Sequence, residues 1–321
     1  MNVPDPPRDC LCAGIVVADH VCEPVDHVPA PGELVVTGRM DLVLGGCAAN
    51  VAVGLARLGR RTAVAGSVGR DLFGRFVRES LQAARVDCRH VGESDRDTSG
   101  TLIINTRGED RRFIHSLGAN RDFTGAELTP ERIRSSRVLY LGGYCLYDEL
   151  TAANVAAAFR TARDAGATTV LDVVLPRPGD YWPRLEPVLP WTDVFLPNDD
   201  EARLITGRSD PVAQAEMFRE AGARTAVITC GGRGAVVVGE HERLRAGCFS
   251  VEFRDGTGSG DAFAAGYIHG LLSGGDVRRS VEYGSALGAS CVRAAGATTG
   301  VFTGDELETF LEANSLSVTR V

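Results

Sequence analysis

Three glycines at alternate positions, Gly256, Gly258 and Gly260, run directly into Asp261 in the segment GTGSGDAFAAGY. Lacking Cβ atoms, successive backbone amides there can turn inward and approach a ligand closely. A helix starting at about Asp261, packed through Phe263, Ile268 and Leu271, aims its unpaired N–H groups and positive dipole end at whatever the loop encloses. Such a loop suits an anion, above all the charge that develops on a transferring phosphoryl group. An aspartate at the join can take the proton from an attacking hydroxyl. Aspartate is equally a favoured N-cap, and the loop does not match G-x-G-x-x-G, so this segment alone leaves both readings open. Gly45 and Gly46 repeat the device in LGGCAANVAVGLARLG, ahead of a helix expected over Asn50–Leu58. There Asn50 is either a cap or an amide facing a ligand.

The elements that must position these residues follow from hydrophobic patterning. Strands are expected at AGIVVAD (13–19), TAVAGSVG (62–69), VLYLGG (138–143), TTVLDVV (168–174), DVFLPN (193–198) and TAVITC (225–230). They alternate with alanine-rich helical patterns, which implies a mostly parallel sheet covered on both faces. Two pieces break the alternation. TLIINTRGEDRRFIHS reads as a hairpin turning at Arg107, Gly108, Glu109 and Asp110, and Leu34–Val43 reads as a strand. Together they predict a small β lid, from approximately 17–43 and 99–118, over the carboxyl edge where open α/β sheets bind ligands. No Pro/Ser-rich linker, low-complexity tract or repeat divides the 321 residues, so one domain is expected.

Composition narrows the chemistry. A 44% hydrophobic and 24% charged chain has the makeup of a folded domain with a sizeable core. A net charge of −8 argues against nucleic acid or an anionic membrane as partner. The start, MNVPDPPRDC, lacks the basic and apolar regions of a signal peptide, no apolar run approaches the roughly 18–20 residues of a membrane span, and nine scattered cysteines suit a reducing compartment. A cytoplasmic protein is therefore expected. Cys10, Cys12 and Cys22 lack a second pair of metal-ligand spacing, so no metal cluster is expected there. All 34 basic residues are arginine, which removes Schiff-base lysines and the G-x-x-x-x-G-K-[ST] loop. Phosphates must then be handled by backbone N–H groups, a helix dipole, arginine or a metal.

The two glycine-led helix starts, GGCAAN (Gly45–Asn50) and DGTGSGD (Asp255–Asp261), resemble the GG…N and DTxGAGD signatures of the ribokinase-like carbohydrate kinases, which include the B-type phosphofructokinases. GRDLFG, the GAN at 118–120, PNDDEA and TCGGRG also match, in order, along nearly the whole chain. The resemblance implies a three-layer α/β/α sandwich with a β lid, spanning 1–321 as a single kinase domain. It implies an ATP-dependent sugar kinase that moves the γ-phosphate to a hydroxyl of a small monosaccharide. By the same resemblance Asp261 matches the general base, and Gly258, Ser259 and Gly260 match the anion hole. Asp19, Gly45, Gly46 and Asn50 match positions that grip sugar hydroxyls. Asn198 and Glu201 match the motif that organises Mg²⁺ and the ATP phosphates through water, and Thr229, Gly231 and Gly234 match the ATP-binding segment. Asp255 and the 291–300 segment match a monovalent-cation site, which Gly300, in place of a serine, leaves open for K⁺. A homodimer through the lid strands is implied as well.

Departures from the pattern bear on the substrate. Gly256 stands where threonine is frequent, Arg254 replaces an apolar residue, and Val17 replaces the asparagine of ribokinases proper. Tyr144 falls near the place of a sugar-binding acid, and His115 lies on the expected lid, while Asp172 reads as sheet-edge structure. The alternative, an adenosine-like nucleoside kinase, wants stacking residues on the lid, where 99–120 offers Phe113 and the pair Ile103–Ile104.

Overall fold

TAVAGSVG is buried at all eight positions, as a strand covered on both faces must be. The computed structural model describes residues 7–109 and 111–321; the first six residues, part of the segment read above for a signal peptide, and Asp110 of the hairpin turn lie outside it. The first seven strands are β1 (Arg8–Gly14), β2 (Val17–Cys22), β3 (Met40–Gly45), β4 (Thr62–Gly69), β5 (Asp87–Ser94), β6 (Gly100–Ile104) and β7 (Arg112–Ser116). The remaining seven are β8 (Ser136–Tyr144), β9 (Thr168–Val173), β10 (Val194–Phe195), β11 (Thr225–Thr229), β12 (Ala235–Val238), β13 (Arg243–Ala246) and β14 (Val318–Arg320).

The large sheet has the order β14-β13-β12-β11-β10-β9-β8-β1-β4-β5. From β11 to β5 every pairing is parallel, and β12, β13 and β14 close one edge antiparallel. Alternation along β1 divides the interior. Cys10 and Cys12 enter one core with residues of the helices Cys47–Arg57, Ser259–Leu272 and Val277–Cys291. Leu11 and Ala13 enter the other, against Ala152–Asp164 and Pro211–Glu220. The result is the mostly parallel, doubly covered sheet expected from patterning and the three-layer sandwich that the resemblance implies.

A second sheet, in the order β3-β2-β6-β7, pairs β2 with β6 in parallel and closes both sides antiparallel. The β6–β7 hairpin is the one read from the sequence. Paired residues share a face, so Val43, Asp19, Thr101 and His115 form one row, and Leu42, His20, Leu102 and Ile114 form a row on the opposite face.

Four boundaries differ from expectation. The run expected as one strand over 13–19 belongs to two sheets, β1 ending at Gly14 and β2 starting at Val17. Gly14 makes the exit: its φ is +124°, and a Cβ there would stand 2.0 Å from the Gly142 carbonyl oxygen. Continuous apolarity cannot reveal where a chain leaves a sheet. The strand expected over Leu34–Val43 begins only at Met40, and Leu34 and Val36 lie in irregular, exposed chain. The helix expected from Asn50 starts at Cys47, and the helix expected from about Asp261 starts at Ser259. Among the described residues no helix is long and apolar enough to cross a membrane.

Candidate active site

Those two earlier helix starts decide how Asp261 and Asn50 are used. Gly258 caps the late helix at φ +75°, a conformation glycine adopts without penalty. A Cβ at Gly258 would also fall 2.4 Å from the Ala297 Cβ. Asp261 is the third residue of the helix, and its side chain caps nothing. Asn50, the fourth residue of its own helix, is likewise no cap; its Nδ2 donates to Asp261 Oδ2 at 2.8 Å. Both cap readings therefore fail, and the two glycine-led helix starts meet through these side chains. The N–H groups of Ser259, Gly260 and Asp261 occupy the first turn, where a helix supplies no carbonyl partners of its own; Ser259 N donates instead to the Gly256 carbonyl at 3.3 Å. A Cβ at Gly260 would meet nothing within 4 Å, so this turn faces open space.

Asp19 reaches the same place from β2. The Gly45 backbone lies directly against its carboxylate; a Cβ there would overlap Asp19 Oδ2 at 1.9 Å. A Cβ at Gly46 would stand 2.5 Å from the Ile15 carbonyl oxygen, and Gly46 has φ +91°. Burial pushes the Asp19 carboxyl up to about 6, with a hydrogen bond from Thr101 opposing it and the nearby Asp261 charge adding to it. Thr101 Oγ1 in turn lies 3.0 Å from His115 Nδ1, so Asp19, Thr101 and His115 form one polar line across the second sheet.

Three neighbours of Asp261 escaped sequence reasoning as site residues. Asp172, on β9, accepts a 2.9 Å hydrogen bond from the Tyr140 hydroxyl on Oδ2. Cys47 Sγ and one carboxylate oxygen each of Asp172 and Asp261 all lie within 4.8 Å of one another. An acid inside the apolar run TTVLDVV was the available signal, because a carboxylate rarely enters a covered strand without a task. Cys47 stood inside the GGCAAN segment without any chemistry attached to it.

Asn198 and Glu201 form a capping box on the helix Asp199–Thr206, Glu201 N donating to Asn198 Oδ1 at 2.8 Å and Asn198 N to Glu201 Oε2 at 3.0 Å. Asn198 and Thr229 are paired by an isolated parallel bridge, which brings PNDDEA and TCGGRG side by side. Within the second of these, Gly231 opens a 3₁₀ turn at φ +56° onto open space. Gly234, at φ +88°, packs against the Ala246 carbonyl oxygen, which accounts for its lack of a side chain.

Burial raises the carboxyls of Asp261, Asp172 and Glu201 alike. For Asp261, hydrogen bonds from Asn50 and Cys47 pull the other way. For Asp172, the charges of Glu201 and Asp261 add to the rise. Glu201 is pushed to about 7, by burial first, with the charge of Asp261 contributing. Among the described residues none of these three, nor Asp19, is ion-paired to an arginine. Several buried acids close together without an arginine partner are the donor set a divalent cation fits.

Asp255 differs. Its Oδ1 accepts from Thr257 N and Oγ1 at 2.9 and 2.8 Å, and its Oδ2 from Gly296 N at 2.9 Å. Its reading as a cation ligand thus meets a carboxylate already used to hold the loop, with Arg111 Nη1 3.9 Å away. Arg111 is a further residue the sequence did not single out: it reaches from the hairpin to the late loop, where a Cβ on Gly256 would stand 2.6 Å from its Nη1. Tyr144 does not join the site; it is fully buried and its hydroxyl donates to the Arg184 carbonyl at 2.8 Å.

Comparison with known proteins agrees with this architecture. Residues 7–303 match the family model described as "pfkB family carbohydrate kinase". The chain is 27% identical over 307 residues to a ribokinase of Haemophilus influenzae, covering 93% of this chain and 97% of that protein. It is 30% identical over 290 residues to a fructokinase of Escherichia coli, covering 84% and 92% respectively. The solved structure of Arabidopsis thaliana ribokinase complexed with ribose and ATP superposes with a TM-score of 0.83 at 19% identity, over 95% of this chain and 99% of that one.

Proposed function

The chain belongs to the pfkB family of carbohydrate kinases, and we propose that it transfers the γ-phosphate of ATP to a hydroxyl of a small monosaccharide, with Asp261 as general base. The observation that carries this reading is the position of Asp261. It sits inside the first turn of a helix that faces open space at Gly260, and it is held by Asn50 rather than spent as a cap.

Asp19 and Asn50 orient the sugar by hydrogen bonds to its hydroxyls, and the Gly45 backbone leaves room for the Asp19 carboxylate. One hydroxyl then points at Asp261, which accepts its proton as the oxygen attacks phosphorus. The amides of Gly258, Ser259 and Gly260 receive the charge that develops on the transferring group. ATP lies along Asn198, Thr229, Gly231 and Gly234, the two segments joined by the Asn198–Thr229 bridge. Glu201 and Asp172 would hold Mg²⁺, which neutralises charge on the ATP phosphates when bound. The second sheet acts as a lid that excludes water, with Asp19 and Thr101 buried on its inner face and His115 at the exposed end of their row. Its other face carries exposed Leu42, Leu102 and Ile114, which support a homodimer formed through these strands.

The test is ADP formation with ATP and Mg²⁺ against a panel of sugars and nucleosides, for wild type and Asp261→Asn. Sugar-dependent turnover lost in the variant is the expected result. Turnover with nucleosides alone would replace the sugar by the alternative acceptor class, and full activity in Asp261→Asn would remove the base.

A further inference from the structure

We propose that Cys47, Asp172 and Asp261 form a binding site for Zn²⁺ or a similar thiophilic divalent ion, and that its occupation shuts the kinase off. The three ligand atoms lie within 4.8 Å of one another, and each residue is partly open to solvent, so an ion can reach them. Ligands around one tetrahedral Zn²⁺ stand about 3.3–3.7 Å apart, given bonds of about 2.0–2.3 Å, so small side-chain rotations close the set. A sulfur with two carboxylate oxygens selects a borderline ion over Mg²⁺, which prefers oxygen alone.

The surroundings fit an ion as well. Each carboxylate is fixed from outside the trio by a neutral donor on Oδ2, Tyr140 for Asp172 and Asn50 for Asp261, which leaves the other oxygen for a metal. Cys47 is the first residue of its helix, where the positive end of the dipole partly offsets the burial and the Asp261 and Asp172 charges that push its thiol up, and an ion bound among the three offsets them further. The Asn50 amide faces the same cluster through Nδ2, and its Oδ1, on a residue only 6% exposed, takes no hydrogen bond among the described residues. Binding displaces the thiol proton to solvent and fixes Asp261 on the metal. The inhibitory consequence rests on Asp261 being the base; the site itself does not.

Co²⁺ serves as the probe, without ATP or sugar, because a thiolate bound to Co²⁺ gives a charge-transfer absorption in the near ultraviolet. Wild type is expected to bind one Co²⁺ per chain with that absorption, and Zn²⁺ to abolish it by displacement. Cys47→Ser should lose the absorption and bind Zn²⁺ at least about 100-fold more weakly. Cys248→Ser, which alters an exposed thiol outside the trio, should retain both. In unsubstituted protein Zn²⁺ should also protect Cys47 from alkylation, read by peptide mass, which keeps the test open if Cys47→Ser fails to fold. No absorption in wild type, absorption that persists in Cys47→Ser, or alkylation of Cys47 unaffected by Zn²⁺ each overturns the site. A Cys47-dependent absorption in a protein that phosphorylates no acceptor supports the site and overturns only the catalytic reading.

Discussion

Asn50 Nδ2 lies 2.8 Å from Asp261 Oδ2, joining two helices whose contact residues are 211 positions apart in the chain. Each helix starts with a glycine at positive φ, Gly46 and Gly258, and each glycine is packed against neighbouring backbone or side chain. The two glycine-rich segments are thus two halves of one site.

The first prediction concerns Asp261. Replacing it by asparagine removes a proton acceptor while keeping an oxygen for the Asn50 amide to donate to. A kcat lower by about 10²–10⁴-fold, with the KM for sugar little changed, is expected from the contribution of general-base catalysis. Steady-state kinetics checks this, and a KM effect without a kcat effect would make Asp261 a binding residue instead.

Asn50 supplies the second. Its donated hydrogen bond favours the charged form of Asp261, against burial that raises the carboxyl. In Asn50→Ala the carboxyl rises further, so the acid limb of the kcat–pH profile should move to higher pH. The sugar KM should rise as well, because Oδ1 is lost as an acceptor. An unmoved acid limb would show that Asn50 serves the fold alone.

Much of this site was legible as spacing. The GG…N and late glycine segments, the hairpin and the alternating strands depend on local patterns, and the structure contains each of them. What was not legible came from long-range packing. Nothing local tells that Asp172 of β9 and Tyr140 of β8 pair beside Cys47, or that Arg111 leaves its hairpin for the Gly256 loop. The error at 13–19 has the same origin, since Gly14 is where it is because of the Gly142 carbonyl on a strand far along the chain.

Gly14 carries the third prediction. Alanine there must adopt φ +124° and place its Cβ 2.0 Å from a backbone oxygen that has nowhere to go. Gly14→Ala should cost about 2–5 kcal/mol of stability, the sum of a strained backbone and an overpacked contact. Urea denaturation measures it, and a loss below about 1 kcal/mol would mean that β1 and β8 can part without cost.

The Gly256–Arg111 approach gives the fourth. Gly256 has an ordinary backbone, so Gly256→Thr is strained only by the 2.6 Å meeting of its Cβ with Arg111 Nη1, which must swing away. If the guanidinium assists phosphate transfer from its present place, Gly256→Thr and Arg111→Ala should each lower kcat/KM by about tenfold. The double variant should then be no worse than either, as expected for two residues in direct contact. Additive losses would separate them.

Glu201 gives the last. Burial raises its carboxyl from the ordinary 4.5 to about 7, so between those values the folded chain holds a proton that the unfolded chain has released. Its contribution to stability is therefore fully present below pH 4.5 and is lost as the pH rises through 7, a difference of no more than about 3 kcal/mol. Glu201→Gln keeps a carbonyl oxygen for the Asn198 N–H and has no charge to bury. The variant should melt above wild type at pH 8 and together with it at pH 4.5. Mg²⁺ should raise the wild-type Tm at pH 8 and leave the variant nearly unmoved. A Tm difference independent of pH would trace the effect to packing, and would leave Glu201 as a helix cap rather than a carboxylate kept for a cation.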